Sequence, residues 1–187
     1  VDDVRQMILL CVKYLTLIFI VCAFLFVMVE QGIMTWLPTF NKRVLKLTSN
    51  ESIMIASIFA MSLAIGRIVA GYLSKYITWI SIVIGCIFIT MLMVIFVLPK
   101  TVEVNIATIT SISDIPLIGF AFPVVGFFIA PIYPLITSAV LSALPKKLHS
   151  PMTGLIVVFS ALGGTIGSTL IGWLFKEVGA KKAFYYT

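Results

Sequence analysis

The chain has 187 residues, of which 61% are hydrophobic and only 11% are charged, against roughly 25% charged residues in an average soluble domain. Its mean hydropathy is +1.18. A soluble fold of this size buries only part of its surface, so it could not keep so much apolar material away from water. The composition therefore indicates an integral membrane protein and excludes an ordinary soluble domain.

The charge balance is basic, with 13 Lys plus Arg against 7 Asp plus Glu and a formal net charge of +6. These charges lie in short clusters between the apolar runs. That arrangement is typical of residues that flank membrane spans, and it does not indicate a nucleic-acid-binding surface.

Five apolar runs are long enough to cross a bilayer as helices, since about 20 residues at a rise of 1.5 Å per residue span the hydrocarbon core. The first run contains Glu30, and Gly32 and Pro38 are places where that helix could bend or stop. Thr48 and Glu51 have the spacing of a capping box at the start of the second. The predicted spans are about 7–40, 52–74, 76–99, 115–145 and 150–175, with a sixth that begins near Ala183.

Helices are the only good interpretation of these runs. Lipid offers no partner to unpaired backbone groups, and the runs lack the two-residue alternation of barrel strands. The sequence therefore predicts an all-α membrane bundle in which short links join antiparallel neighbours. Lys and Arg are shared almost evenly between the two sides, so charge alone does not orient the bundle.

The two ends of the chain suggest a piece of a longer protein. The sequence opens on Val1 in a polar stretch, and it closes as a new apolar run begins. The first apolar run is too long for a signal peptide.

The fourth run contains four prolines and is expected to be an irregular helix. Pro131 and Pro134 each remove a backbone donor, which frees carbonyls near residues 127 and 130. Tyr133 and Thr137 lie one turn apart and present hydroxyls on one face, where they could meet a substrate, or where Tyr133 could belong to an interfacial belt. The prolines of this run are Pro116, Pro123, Pro131 and Pro134.

Glu30 is the candidate for substrate or proton binding, because ionisable groups inside membranes are costly and usually face a cavity or a partner. Gln31, Thr35 and Trp36 add an amide, a hydroxyl and a ring within the next two turns. Alternatively, the first helix ends earlier and Glu30 is interfacial. Arg67, near the end of the second span, is either a snorkelling interfacial residue or part of a gate.

Gly164, Ser168 and Gly172 recur every four residues and predict a small-residue stripe for close helix packing. The glycine-rich stretch of residues 162–167 lacks the Lys of a phosphate loop, so it does not indicate nucleotide binding. The cysteines and the single histidine are isolated from one another, so we predict no metal site and no cofactor.

At these residues the chain resembles the C-terminal half of a major facilitator superfamily transporter, and most closely the fucose:proton symporters and related bacterial glucose/galactose transporters. Residues 24–37 (FLFVMVEQGIMTWL) are similar to the seventh helix of that family, and residues 66–75 (GRIVAGYLSK) to its eighth. Residues 125–134 (VGFFIAPIYP) resemble its tenth helix. Residues 153–158 and 163–167 resemble its eleventh.

The resemblance implies that the spans are helices seven to eleven of twelve, with the start of the twelfth, and that the N-terminus is cytoplasmic. A missing N-terminal six-helix half would then supply the other wall of the cavity. It also implies a bacterial inner membrane protein. Arg67 and Lys75 would lie on the cytoplasmic side and hold the outward-facing state closed.

We therefore expect a secondary transporter of a small polar solute, a sugar, driven by protons through rocking of two helical halves. A drug or metabolite efflux antiporter of the same superfamily is one alternative, kept open by the aromatic content of 12%. A membrane protein with a purely structural role is another. A membrane-embedded enzyme is not expected, since the sequence lacks convergent His, Cys or Asp residues at membrane depth.

Overall fold

The computed structural model describes residues 7, 10, 13–44, 47–102 and 121–179. Within these ranges it contains helices joined by short connections and no strand. A short 3₁₀ turn, Lys146–Leu148, precedes the last helix. The helices are α1 (Tyr14–Arg43), α2 (Ser49–Leu73), α3 (Trp79–Val102), α4 (Ala121–Ile129), α5 (Ile132–Ser142) and α6 (His149–Glu177).

Five helical segments are long and apolar enough to cross a membrane, and α4 and α5 together form the fourth of them. The all-α membrane fold predicted from the sequence is thereby confirmed. The observed bounds differ from the predicted spans by a few residues at most ends. The predicted residues 115–120 and the sixth span near Ala183 lie outside the described residues.

The first helix departs most from expectation. It begins at Tyr14 rather than at residue 7, because Lys13 has an extended backbone. It then runs through Gly32 and Pro38 to Arg43 without a stop, so it extends past the predicted end of the first span near residue 40. Gly32 is buried against Ile171 of α6, which shows that its role here is packing.

The start of α2 is as predicted. The Thr48 hydroxyl accepts a hydrogen bond from the Glu51 backbone N–H, and the Thr48 N–H donates to the Glu51 carboxylate at 3.0 Å. This capping box satisfies the backbone N–H groups of Thr48 and Glu51, which have no partner within the helix.

The most extensive helix contact in the described ranges is between α1 and α6. A Cβ placed on Gly163 would collide with the backbone carbonyl of Phe24, and one placed on Gly167 with that of Met28. Both glycines are buried. Small residues allow backbones to approach in lipid, where dispersion and polar contacts replace the hydrophobic effect between helices.

Two apolar clusters fill the bundle. One gathers Leu37, Phe40 and Phe59 near the loop between α1 and α2. The other gathers Phe19, Ile20 and residues of α6 near the opposite end. Glu30 lies on α1 between Ile20 of one cluster and Leu37 of the other. A polar layer therefore separates the two apolar clusters along the bundle.

We expect Gly167→Ala to destabilise the bundle by about 1–3 kcal/mol, because the added methyl group has no room against the Met28 carbonyl. Gly71→Ala is the matched control, since a Cβ there meets nothing within 4 Å. Both changes carry the same gain in helix propensity. Thermal unfolding of the purified protein in detergent measures the difference, and equal melting temperatures for the two variants would contradict the contact.

Candidate functional site

An ion pair joins α1 to α2 inside the bundle. Nη2 of Arg67 donates to Oε1 of Glu30 at 2.6 Å, and the Glu30 side chain is only 6% exposed. The sequence placed Glu30 beyond a long uncharged stretch of α1. Burial of a carboxylate in such surroundings requires a partner, and Arg67 is that partner.

Arg67 also contacts the break in the helix between α4 and α5. Its Nε donates to the carbonyl of Ala130 at 3.4 Å. That carbonyl would normally accept from the N–H of residue 134, but residue 134 is a proline and has no N–H. The irregular helix predicted from the prolines is confirmed, since α4 ends at Ile129 and α5 begins at Ile132.

The second freed carbonyl, that of Phe127, lies against Gly66. A Cβ on Gly66 would collide with it, and Gly66 is buried. Proline at position 131 removes the usual donor to this carbonyl. The neighbouring residues Gly66 and Arg67 therefore meet both carbonyls that the prolines release, one through close backbone approach and one through a hydrogen bond.

Helix α1 does not end before Glu30, because it continues to Arg43, and the Glu30 side chain is buried within the bundle. Arg67 is half exposed, with 48% of its side chain accessible, yet its guanidinium reaches into the bundle. One guanidinium thus holds α1 and the junction of α4 with α5 onto α2. Loss of the charge on Glu30 would release the bond to α1 and leave the bond to Ala130.

The other polar residues predicted near Glu30 do not face Arg67. Gln31 packs on Gly164 of α6. Trp36 donates its Nε1–H to the backbone carbonyl of Ser168 at 2.7 Å. Thr35 is exposed. The structure therefore separates Glu30, which faces Arg67, from Gln31 and Trp36, which face α6.

The predicted small-residue stripe receives side chains of α1. Gly164 lies beside Gln31, Ser168 accepts from Trp36, and Gly172 lies under the Trp36 ring. The backbone-to-backbone approach occurs one residue earlier, at Gly163 and Gly167.

Tyr133 lies between α1 and α6. Its hydroxyl is 2.8 Å from that of Ser160, and its ring stacks on Phe26 with centroids 5.8 Å apart. The hydroxyl of Thr137 is buried and has no hydrogen-bond partner within the described part of the chain. A space of about 160 Å³ beside Tyr133 is lined mainly by apolar side chains of α1 and α5.

Lys75 lies apart from Arg67, in the exposed connection between α2 and α3. Its Nζ is 5.4 Å from the centroid of the Tyr72 ring. In the described ranges no group of His, Cys, Asp or Glu is arranged to hold a metal ion.

Sequence reasoning missed two polar contacts. One is Ser160, the partner of Tyr133. The other is Asn41, which is fully buried and donates to the backbone carbonyl of Ser52 at 3.4 Å. Asn41 stands beside Lys42 and Arg43 in the sequence, and this polar run resembled a linker. No local signal distinguishes it from one.

Comparison with known families shows one match. The family model described as Major Facilitator Superfamily matches residues 4–168. Neither a curated protein nor a solved structure matches the chain.

We expect loss of Arg67 to lower the stability of the protein more than loss of the Glu30 charge does. Arg67→Gln leaves a buried carboxylate without its cation and should cost about 3 kcal/mol, the low end for a broken buried pair. Glu30→Gln should cost less, because the half-exposed Arg67 keeps other contacts. The double variant should be more stable than Arg67→Gln alone.

A double-mutant cycle on thermal or denaturant unfolding of the purified protein measures this coupling. Strictly additive effects of the two substitutions would show that Glu30 and Arg67 are not coupled.

Proposed function

Because the chain belongs to the major facilitator superfamily, a family of multi-pass membrane transporters of small molecules, we propose that it transports a sugar in symport with protons. Membership in this family favours transport over catalysis and over a purely structural role. The proposal treats the five spans as part of the C-terminal half of the transporter, with a preceding six-helix half as the other wall of the pathway. The bacterial inner membrane is the proposed location.

The observation that carries the proposal is the Glu30–Arg67 ion pair. A carboxylate with 6% exposure, held by one guanidinium, has two states that differ in the contacts they make. The ionised state binds Arg67 at 2.6 Å. The protonated state loses the charge and with it most of that attraction, so a proton arriving at Glu30 weakens the polar link between α1 and α2.

Arg67 extends this effect to the fourth span. Its bond to the Ala130 carbonyl lies at the break between α4 and α5, where Pro131 and Pro134 leave the helix without its normal hydrogen bonds. A proton at Glu30 therefore acts on the same guanidinium that supports the break between α4 and α5. Alternating access requires a ligand that favours one arrangement over another, and the proton has that differential effect here.

A sugar suits the polar groups of α1, α5 and α6. Tyr133 and Ser160 offer paired hydroxyls, and Thr137 offers a buried hydroxyl without a partner in the described ranges. Gln31 and Thr35 of α1 add an exposed amide and hydroxyl, and Trp36 adds a ring. Sugars are bound by hydroxyl and amide groups together with aromatic rings on which they stack.

The proposal also assigns a gating role to Arg67 and Lys75 on the cytoplasmic side. Arg67 acts through its pair with Glu30. Lys75 lies in the connection after α2, where its exposed ammonium group is available to a carboxylate or to helix-terminal carbonyls of the other half.

A second candidate is efflux of a more apolar compound by antiport with protons. The space beside Tyr133 favours it, because Phe19, Phe26 and Ile136 line most of that space. Uptake of labelled sugars, compared with export of apolar dyes by the same cells, separates the two candidates.

We expect Glu30→Gln in the full-length transporter to abolish proton-driven accumulation of substrate while leaving membrane insertion and substrate exchange intact. The amide keeps the shape of the side chain but cannot bind and release a proton. Glu51→Gln is the matched control, since Glu51 serves the capping box at the start of α2. Accumulation and counterflow in cells or vesicles measure the two properties.

Normal accumulation by Glu30→Gln, with the pH dependence of the unmodified protein, would remove Glu30 from the coupling mechanism. Loss of both accumulation and exchange would assign Glu30 to the substrate rather than to the proton.

Tyr133→Phe removes the hydroxyl that pairs with Ser160, and Thr137→Val removes the buried hydroxyl without a partner. Each change should raise the KM for the sugar by about fivefold, the effect of one neutral hydrogen bond of roughly 1 kcal/mol. Ser142→Ala is the control, since its hydroxyl bonds the Ser138 carbonyl on the same helix. Unchanged KM values for both variants would show that these hydroxyls do not contact the substrate.

A further inference from the structure

A narrow crevice of about 250 Å³ lies where α2, α3 and α4 diverge. Its walls are almost wholly apolar and include Leu73, Ile82, Ile89 and Phe128. Gly85 of α3 supplies much of the room, because a Cβ at that position would meet nothing within 4 Å. The space is therefore suited to a slender apolar group.

The crevice opens beside the exposed apolar face of α3. Only 11% of the α3 span is buried within the bundle, against 28% for each of the other four spans. The exposed apolar side chains of α3 include Ile84, Ile87, Phe88 and Met91. In a membrane protein such a face contacts acyl chains, so the groups next to the crevice are hydrocarbon.

One end of the crevice reaches the membrane surface. Ile77 lines the crevice and also lines a neighbouring groove whose walls include hydroxyl groups and Trp79. Tyr72 and Tyr76 stand beside this end with their hydroxyls 3.2 Å apart, and Lys75 lies over the Tyr72 ring. Tyr, Trp and Lys together are typical of the level of lipid headgroups.

The same end of the bundle is positively charged. Among the described residues it carries cations at four positions and no acidic side chain. Such a surface attracts anionic lipids, by about 1 kcal/mol for each Lys or Arg near the membrane. The cations are Lys13, Lys75, Lys146 and Lys147.

We propose that an anionic phospholipid binds here, with one acyl chain in the crevice and its phosphate at Lys75. The hydroxyl-lined groove around Ser74, Thr78 and Ser138 then receives the polar part of the headgroup. This site does not depend on the nature of the transported substrate.

The lipid would brace a contact that the transport site uses. Gly66, Phe127 and Pro131 form part of the crevice wall, and they also form the close contact between α2 and the break after α4. An acyl chain that fills the crevice would pack against this contact and stabilise it. Retention of the lipid should therefore raise the thermal stability of the protein.

The experiment measures the lipid retained by the purified full-length protein, by native mass spectrometry, after exchange into micelles with phosphatidylglycerol or with phosphatidylcholine of the same acyl chains. We expect phosphatidylglycerol to be retained preferentially. Lys75→Gln should reduce that preference by about fivefold, the effect of one cation near the membrane surface. Lys147→Gln is the control for charge at the same end.

Gly85→Leu tests the crevice, because the larger side chain occupies the space and should lower lipid retention by about tenfold, the equivalent of about two buried methylenes. Gly71→Leu is the matched control. Gly71 is exposed, lies outside the crevice, and has equal room for a side chain. Equal retention by the two variants would overturn the proposal.

A second measurement needs no change in the crevice. Cys86 lines it, so the full-length protein with every other cysteine replaced by alanine carries its one thiol at the site. Phosphatidylglycerol should slow alkylation of Cys86 by a maleimide more than phosphatidylcholine does. Equal protection by both lipids would show that no anionic headgroup is recognised, and no protection by either would show that the crevice holds no lipid.

Discussion

A carboxylate inside a bilayer needs a partner, and the position of Arg67 against Glu30 is the constraint from which the rest of the bundle follows. The two residues lie on antiparallel helices joined by a short connection, so their bond at 2.6 Å fixes how far α2 is shifted along α1. Isolation of either charge at this depth would cost several kcal/mol. The pair therefore acts on register as much as on stability.

The proline break follows from the same residue. Pro131 and Pro134 leave two carbonyls without donors, and in lipid no water replaces them. Gly66 admits the Phe127 carbonyl at close range and Arg67 donates to that of Ala130. Adjacent residues of α2 thus accommodate both freed carbonyls of the fourth span, one with a hydrogen bond from Arg67 and one with the space that Gly66 leaves.

The bundle contains two kinds of helix contact with different consequences for motion. The contact of α1 with α6 is made by glycines against backbone, with Trp36 bonded across it, and it offers no charge to switch. The contacts of α2 with α1 and with the α4–α5 break combine apolar and backbone packing with one guanidinium and, toward α1, one carboxylate. A proton changes the second kind and leaves the first intact, so the transport proposal assigns movement to α2 relative to a close-packed α1–α6 pair.

Much of the fold was determined by sequence alone, because span length, helix capping and the missing donor of proline are local properties. The five spans, the capping box at Thr48 and the break near Pro131 were predicted on those grounds and are present. Glu30 was singled out by its depth in an apolar run, and Arg67 by its charge near the end of the second span. Only the tertiary structure paired them, turned Gln31 and Trp36 toward α6, and placed the close backbone approach of α1 to α6 at Gly163 and Gly167. These outcomes depend on the rotation and shift of one helix against another, and residues distant along the chain set that geometry.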